Sequence, residues 1–487
     1  MTFLAFDLGA ESGRAVLASF ADGRIDLKEL HRFPNRPVRV AGSLRWDVDA
    51  LWQDMTRGLE AAGSARPASV GVDTWGCDYG LVDRQGTLVE LPYHYRDHRT
   101  DGVMERVFER VTRDRIYATT GVQCLPFNTL YQLCAARDGN SGALDRAHAL
   151  LTMPDLFNYR LSGRMSCEFT SATTTQCVDA RTGTWAADLL TDLDLPARLF
   201  GSIVMPGAVI GSIAPSAAPR LAGVPVVAPA CHDTGSAFAA VAAGGDTAFL
   251  SCGTWSLLGT ETAAPVISER SRDLNFTNEG GAFGTWRLLK NIGGLWLLQS
   301  CRRSWEAAGR SWTYEELVEA ARDDRHAFRT VIDPDDPSFL NPDDMVIAID
   351  AYCRRTGQPV PDGAPGHTRA ILESLALKYR LVLDALEEVS GRSFRRIRMA
   401  GGGSRNALLN QFTADATQRT VLAGPIEATA LGNIAVQMVA TGAVQSLGAA
   451  RDVIERSFPA GRYDPGPGGK WETASRRLRG LVNAAPH

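Results

Sequence analysis

The sequence predicts an α/β protein built from two large domains, and three observations carry that prediction. The chain has 487 residues, more than one hydrophobic core usually supports, since domains cluster at roughly 100–200 residues. It opens on a strand, a tight polar loop and a second strand, and a similar arrangement returns after Thr247. A strand, a glycine loop and a helix follow near residue 400, which is the local setting of nucleotide sites.

The opening elements come from short apolar runs broken by turn residues. Phe3 to Phe6 is apolar, Asp7-Leu8-Gly9-Ala10-Glu11-Ser12-Gly13 forms the loop, and Arg14 to Ala18 reads as the second strand. Arg24 to Phe33 alternates apolar and polar residues after the Asp22-Gly23 turn and reads as a third strand. Ser69 to Val72 is a further strand, running into the polar Asp73-Thr74-Trp75-Gly76-Cys77-Asp78. Pro225 to Pro229 leads into Ala230-Cys231-His232-Asp233-Thr234-Gly235-Ser236 and an alanine-rich helix, with Asp233 near its start.

Gly244-Gly245-Asp246 reads as a break, placing a boundary between domains 1–243 and 244–487. Beyond it, Thr247 to Leu250, the loop Ser251 to Thr254 and the run Trp255 to Leu258 repeat the opening in pattern rather than in residues. Leu288 to Gln299 reads as an apolar segment framed by Lys290, Asn291 and Gln299, and Asp333 to Asp344 as a surface excursion. From His367 to Ser390 the apolar positions share one helical face, with Gly391 placed as a C-cap. Arg396 to Ala400 then enters Gly401-Gly402-Gly403-Ser404-Arg405-Asn406 and another helix.

Composition excludes several classes. Lys and Arg number 51 against 55 Asp and Glu, a net charge of −4, so no global field draws nucleic acid and an anionic ligand must be held locally. No apolar run approaches the ~18 residues of a membrane span. The first residues carry no basic n-region, so a secretory signal is not expected and a cytoplasmic protein is. Nine scattered cysteines without a C-x-x-C pair suit reduced, buried thiols rather than disulfides or structural zinc.

A loop that wraps phosphate needs free backbone N–H groups and small side chains. Gly9, Ala10, Ser12 and Gly13 supply them, Arg14 can offset phosphate charge, and Asp7 can hold the magnesium ion that accompanies ATP. An ordinary hairpin turn explains the same residues equally well. Gly401 to Asn406 misses G-x-G-x-x-G because Asn406 stands at its third glycine, and no G-x-x-x-x-G-K-[ST] occurs. Phosphoryl transfer to a hydroxyl calls for a carboxylate that takes the proton. Asp233 is the candidate, flanked by His232 and Thr234, although Asp at a helix start is also a frequent cap. Asn291 and Gln299 carry amides suited to hydroxyls or ribose.

Taken in order, AFDLGAESGR, GVDTWGCDYGLVD, LPFNTLYQL, CHDTGSA, LSCGTWSLLGTE, NEGGAFGTWRLLKNIGGLWLLQ and AGGGSRNALLNQFTADA resemble the carbohydrate kinases of the FGGY family, from about residue 3 to about residue 440. The resemblance implies two actin-like, ribonuclease-H-type ATPase lobes around a central cleft, the first binding sugar and the second ATP. It implies magnesium-dependent transfer of the ATP γ-phosphate to the 1-hydroxyl of a ketose, L-rhamnulose foremost, with L-fuculose or D-xylulose as alternatives. By matching positions, Asp233 is the proton acceptor, and Gly76, His232, Thr234 and Asn291 lie near the sugar. Ala10, Glu11, Ser12, Gly13, Arg14, Thr254, Gln299 and Gly402 lie near ATP.

Two departures stand out. Glu11 adds negative charge beside the phosphate loop, which repels phosphate unless it faces away or helps hold magnesium. Cys231 stands where a serine is expected. A rival of another class is an actin-like ATP- or sugar-binding regulator that transfers no phosphate, for which a partner-binding or DNA-binding appendage is expected. Ketose choice is expected to rest on Trp75, Gly76, Phe127 and Asn128, since few pocket residues read one hydroxyl's configuration.

Overall fold

A computed structural model describes residues 1–139, 142–241, 245–323, 325 and 327–484. The chain forms two compact units. The first comprises residues 1–242, 261–288 and 428–459, and the second comprises 243–260, 289–427 and 460–487. The units are therefore not contiguous halves, and the expected boundary at 243/244 lies outside the described residues.

In the first unit, β1 (Thr2–Leu8), β2 (Ser12–Ala21), β3 (Arg24–Pro34), β4 (Val70–Thr74), β5 (Val209–Ser212) and β6 (Pro225–Val227) form a sheet in the order β5-β6-β4-β1-β2-β3. β1 pairs antiparallel with β2, from Thr2 opposite Ser19 to Leu8 opposite Gly13, and parallel with β4, from Leu4 beside Val70 to Leu8 beside Thr74. Central strands β1 and β4 are buried along nearly their whole length, which is why they read as unbroken apolar runs rather than alternating ones. The three opening strands expected from sequence are all present.

A helix over Ala428–Ala440 packs on this sheet and against the helix Asp233–Ala240. A Cβ at Gly432 would stand 1.6 Å from the Ser236 carbonyl oxygen, so only glycine allows the two backbones to cross this closely. Gln437 donates to the Leu4 carbonyl at 3.0 Å and accepts from Ser69 Oγ at 2.7 Å.

The second unit repeats the pattern. β7 (Thr247–Cys252) and β8 (Trp255–Thr262) form an antiparallel hairpin, and the chain continues through β9 (Trp286–Gly293), β10 (Arg396–Ala400), β11 (Thr420–Ala423) and β12 (Gly461–Tyr463). β7 runs parallel to β10, and β10 to β11, in the order β8-β7-β10-β11-β12. A hairpin beside a parallel strand thus occurs twice, which accounts for the faint internal repeat. The long helix spans Gly363–Ser390 and ends on Gly391 at φ 65°, the left-handed cap expected there.

Two sequence expectations are corrected. Leu288 to Gln299 is not one segment: β9 ends at Gly293 and a helix over Trp296–Ala307 begins after the Gly293-Gly294 turn. Asp333 to Asp344 is not wholly a surface excursion, because Lys378 binds Asp333 at 2.7 Å and Asp335 at 2.9 Å, and Asp333, Phe339 and Pro334 are buried. The Pro- and Asp-rich composition masked this burial, which rests on Val331, Ile332 and Phe339 together with a buried lysine from a helix distant in sequence.

Candidate active site

In α/β sheets, ligands bind at the carboxyl ends of parallel strands. In the first unit those ends are joined through backbone bonds. Trp75 N donates to the Leu8 carbonyl at 3.2 Å, Thr74 N donates to the Cys231 carbonyl at 2.9 Å, and Thr74 bridges His232 in parallel. The loop Gly9 to Gly13, the segment Trp75 to Asp78 and the segment Cys231 to Thr234 therefore emerge together.

The first loop is tight. Gly9 N donates to the Ser12 carbonyl at 2.9 Å; Glu11 and Ser12 are exposed, and Ala10 and Arg14 half-buried. Gly13 has a packing role, since a Cβ there would lie 2.3 Å from the Phe33 ring. Arg14 donates to Asp7 Oδ2 through Nε at 3.0 Å and Nη2 at 2.6 Å, so the two residues assigned separately to phosphate and magnesium form an ion pair. Beside Asp7 in register stands Asp73, which the sequence reading had not singled out. Burial first and the neighbouring Asp7 second push its carboxyl well above the ordinary value.

Asp233 is the first residue of its helix; His232 holds the N-cap position and makes no side-chain cap bond. Asp233 therefore stands one position inside the N-cap rather than on it. Thr234 donates to Asp233 Oδ1 through N at 2.5 Å and through Oγ1 at 3.1 Å, and His232 Nε2 lies 3.4 Å from the same oxygen. Among the described residues every direct polar contact to this carboxylate goes to Oδ1, leaving Oδ2 open. Its side chain is 30% exposed. Enclosure by the surrounding chain raises the carboxyl above its ordinary value, while His232 opposes the rise.

Buried groups hold this segment in place. Glu168 Oε2 accepts from Cys231 N at 3.1 Å and from Thr170 Oγ1 at 2.6 Å, and Thr170 Oγ1 in turn accepts from His232 N at 3.1 Å. Burial pushes the Glu168 carboxyl up to about 7. Cys231 Sγ lies in the interior, 3.8 Å from Asn158 Nδ2, so the exchange for serine does not alter the exposed face. A Cβ at Gly76 would approach His232 Nε2 to 3.1 Å and Thr174 Oγ1 to 3.3 Å, which places Gly76 directly against the histidine.

Asp78 organises the segment that follows Trp75. It accepts from Trp46 Nε1 at 2.6 Å, Trp75 Nε1 at 3.0 Å, Gln132 Nε2 at 2.8 Å and Tyr95 N at 3.2 Å. Four donors on one buried carboxylate restrain its pKa, yet burial still lifts it to about 6. Trp46 and Trp75 pack with ring centroids 4.2 Å apart. Asn128 Nδ2 donates to the Gln123 carbonyl at 2.7 Å and to Gln176 Oε1 at 3.1 Å, which fixes its orientation.

The remaining expected residues, Asn291, Thr254, Gln299 and Gly402, belong to the second unit. The β7–β8 turn is stitched to the helix Trp296–Ala307: Leu295 N donates to the Gly253 carbonyl at 3.0 Å, and Trp296 N to the Thr254 carbonyl at 3.1 Å. A Cβ at Gly294 would meet Trp255 C at 2.6 Å and Thr254 O at 2.7 Å, so the close approach requires glycine. Gln299 Oε1 is buried without a hydrogen-bond partner among the described residues, an orphan acceptor that a bound ligand can satisfy. Gly401 takes φ +86°, and Gly403 is pressed against Cys252, where a Cβ would stand 2.2 Å from Sγ. Of the three glycines in this loop, Gly402 alone has none of the described residues within 4 Å of an added Cβ, so its face is open. Asn291 is half-buried on β9.

The fold thus gathers Asp7, the first loop, Gly76, His232, Asp233 and Thr234 in one unit, and Thr254, Gln299 and Gly402 in the other. Sequence reasoning missed Asp73, Asp78 and Glu168. The only signal was a carboxylate in an otherwise apolar or small-residue strand end, and it needed the sheet register to acquire meaning.

Comparison with known proteins agrees with this layout. Residues 2–240 match the N-terminal domain, and residues 248–441 the C-terminal domain, of the FGGY family of carbohydrate kinases. The chain is 46% identical over 485 residues to a rhamnulokinase of Bacteroides thetaiotaomicron, covering 99% of each. It is 46% identical over 468 residues to one of Pectobacterium atrosepticum, covering 95% of this chain and 92% of that one. The structure superposes on a gluconate kinase from Lactobacillus acidophilus with a TM-score of 0.81 at 15% identity, covering 99% of this chain and 98% of that one, a likeness of fold. The two units have the actin-like ATPase architecture of such kinases, and the chain belongs to the FGGY family of carbohydrate kinases.

Proposed function

We propose that the protein transfers the γ-phosphoryl group of ATP to the 1-hydroxyl of L-rhamnulose, giving L-rhamnulose 1-phosphate and ADP in the breakdown of L-rhamnose. The observation that carries the chemistry is the Asp233 carboxylate, held through Oδ1 with Oδ2 open at the carboxyl end of the sheet. The name borne by the full-length relatives supports the choice of ketose.

In this reading the sugar O1 attacks the γ-phosphorus, the bond from that phosphorus to the β–γ bridging oxygen breaks, and the hydroxyl proton passes to Asp233 Oδ2. A carboxylate whose pKa is raised is a better proton acceptor than an ordinary one. His232, Thr234, Gly76 and Asn291 orient the sugar. Ala10 to Arg14 contact the phosphates, with the Glu11 side chain exposed. Thr254, Gln299 and Gly402, all in the second unit, contact the nucleotide. ATP supply makes the cytoplasm the working compartment.

Magnesium fits the first unit. Asp73 Oδ1 is a buried acceptor beside Asp7 without a hydrogen-bond partner among the described residues, and hard cations favour carboxylate oxygens. Among the described residues no group of three or more His, Cys, Asp or Glu side chains is set to hold a metal by itself, which suits an ion that arrives with the nucleotide and keeps phosphate and water ligands. Asp7 and Asp73 would hold it, and it would neutralise charge on the β- and γ-phosphates.

Phosphorus NMR of the product tests the regiochemistry. Phosphate on O1 couples to the two protons of one CH2 group and gives a triplet. A doublet would place it on a secondary hydroxyl and refute the assignment.

A further inference from the structure

Arg287 and Glu279 form a buried ion pair beside His232 that the reaction as described does not use. Arg287 is 0% exposed and Glu279 5%, with Nη2 and Oε2 3.2 Å apart. Such a pair is a costly way to stabilise a core, because removing two charges from water offsets much of their attraction. Its contacts point elsewhere. Arg287 Nε donates to the Gly280 carbonyl at 2.7 Å, while Nη1 and Nη2 each lie 3.3 Å from His232 Nδ1.

A guanidinium has five donors, no acceptor, and does not lose its proton in proteins. Facing Nδ1, it can only donate, so Nδ1 presents its lone pair and the neutral ring carries its proton on Nε2. That nitrogen is the one 3.4 Å from Asp233 Oδ1 and nearest to Gly76. Glu279 Oε2 is also 3.4 Å from Nδ1, but it makes no hydrogen bond of acceptable geometry. It serves as the counter-ion of the guanidinium. Burial would raise the Glu279 carboxyl, but the Arg287 guanidinium, the largest opposing influence, brings it below its ordinary value, so it stays charged for that task.

We propose that the Glu279–Arg287 pair is a positioning device for phosphoryl transfer, in which Arg287 donates to His232 Nδ1, fixes the imidazole as the Nε2–H tautomer, and directs that N–H toward Asp233 Oδ1 and the sugar. The inference rests on Asp233 being the proton acceptor. With Oδ1 held by the two hydrogen bonds from Thr234 and 3.4 Å from His232 Nε2, the open Oδ2 is left for the substrate proton. The order of the chain fits this arrangement. Glu279 directly precedes Gly280, whose carbonyl accepts from Arg287 Nε, whose N–H is held by Thr173 Oγ1 at 2.8 Å and whose missing side chain makes room for Phe169, 2.5 Å from where a Cβ would stand.

The test uses the full-length protein labelled with nitrogen-15 histidine, with the His232 signals assigned by their loss in His232→Gln. The wild type is expected to show a protonated, pyrrole-type Nε2 and an unprotonated, pyridine-type Nδ1. A protonated Nδ1 would overturn the proposal whatever the activity, because it would make Glu279 the acceptor. The double variant Glu279→Gln/Arg287→Met removes both charges together and strands neither. It is expected to lose the single tautomer and to lower kcat by about 10-fold to 100-fold, the scale of a misplaced reacting group, with the KM for ATP little changed. A folded double variant with wild-type tautomer and turnover would equally overturn it. If the double variant does not fold, the wild-type spectrum decides. A wild type inactive on every ketose would sink the functional reading, while the tautomer result would still judge the contact.

Discussion

Asn433 Nδ2 donates to Asp73 Oδ2 at 2.6 Å, and Asp73 Oδ1, also buried, has no hydrogen-bond partner among the described residues. A half-satisfied carboxylate next to Asp7 is held for a cation or a proton. Asp73→Asn is expected to keep the fold and to raise the magnesium concentration needed for half-maximal activity by about 10-fold, the scale on which a lost ligand-shell contact acts. An unchanged magnesium titration would remove Asp73 from the metal site.

Asp233→Asn keeps the shape of the helix start but cannot take a proton. Turnover is expected to fall by about 10²-fold to 10⁴-fold, the usual contribution of a general base, while ATP affinity measured by calorimetry stays close to wild type. Near-normal turnover in the purified variant would mean that another group accepts the proton.

Gly402 and Gly403 separate ligand contact from packing. A side chain at Gly403 collides with Cys252, whereas one at Gly402 meets nothing. Gly403→Ala is expected to lower stability by about 1–3 kcal/mol, as overpacking does, visible in the urea midpoint. Gly402→Val should leave that midpoint unchanged and raise the KM for ATP. A normal KM in a folded Gly402→Val protein would take the nucleotide away from this loop.

Asp155 gives a stability prediction with a definite sign. Burial lifts its carboxyl to about 8, even though Thr152 donates a hydrogen bond to it. Its folded pKa thus exceeds its unfolded one. The contribution is whole below the ordinary carboxylate range and is lost as pH rises toward about 8, at up to ~1.4 kcal/mol per pH unit for one group. Asp155→Asn is expected to flatten the fall in Tm between pH 5 and pH 8. An identical fall in the variant would show that Asp155 is already ionised at pH 5.

Much of the fold was legible because its signals are local. The strands around Asp7 and Gly13, the hairpin at Gly253, the glycine loop before Asn406 and the cap at Gly391 follow from apolar runs and turn residues a few positions apart. What escaped depends on contacts between distant parts of the chain. Nothing near Asn433 announces that it meets Asp73, and Lys378 gives no local sign that it will draw in Asp333. Glu279 and Arg287 lie inside a motif that resemblance flagged, yet only their burial against His232 gives them a task. The break at Gly293-Gly294 was readable as a turn, but the apolar residues on both sides obscured the change from strand to helix.

The central claim is that this chain phosphorylates a ketose at the expense of ATP, and the most direct measurement is ATP consumption by the wild-type protein across L-rhamnulose, L-fuculose and D-xylulose. The account predicts sugar-dependent ADP release that is fastest with L-rhamnulose, one ADP for each sugar phosphate formed. ATP consumption equal with and without every sugar would contradict it.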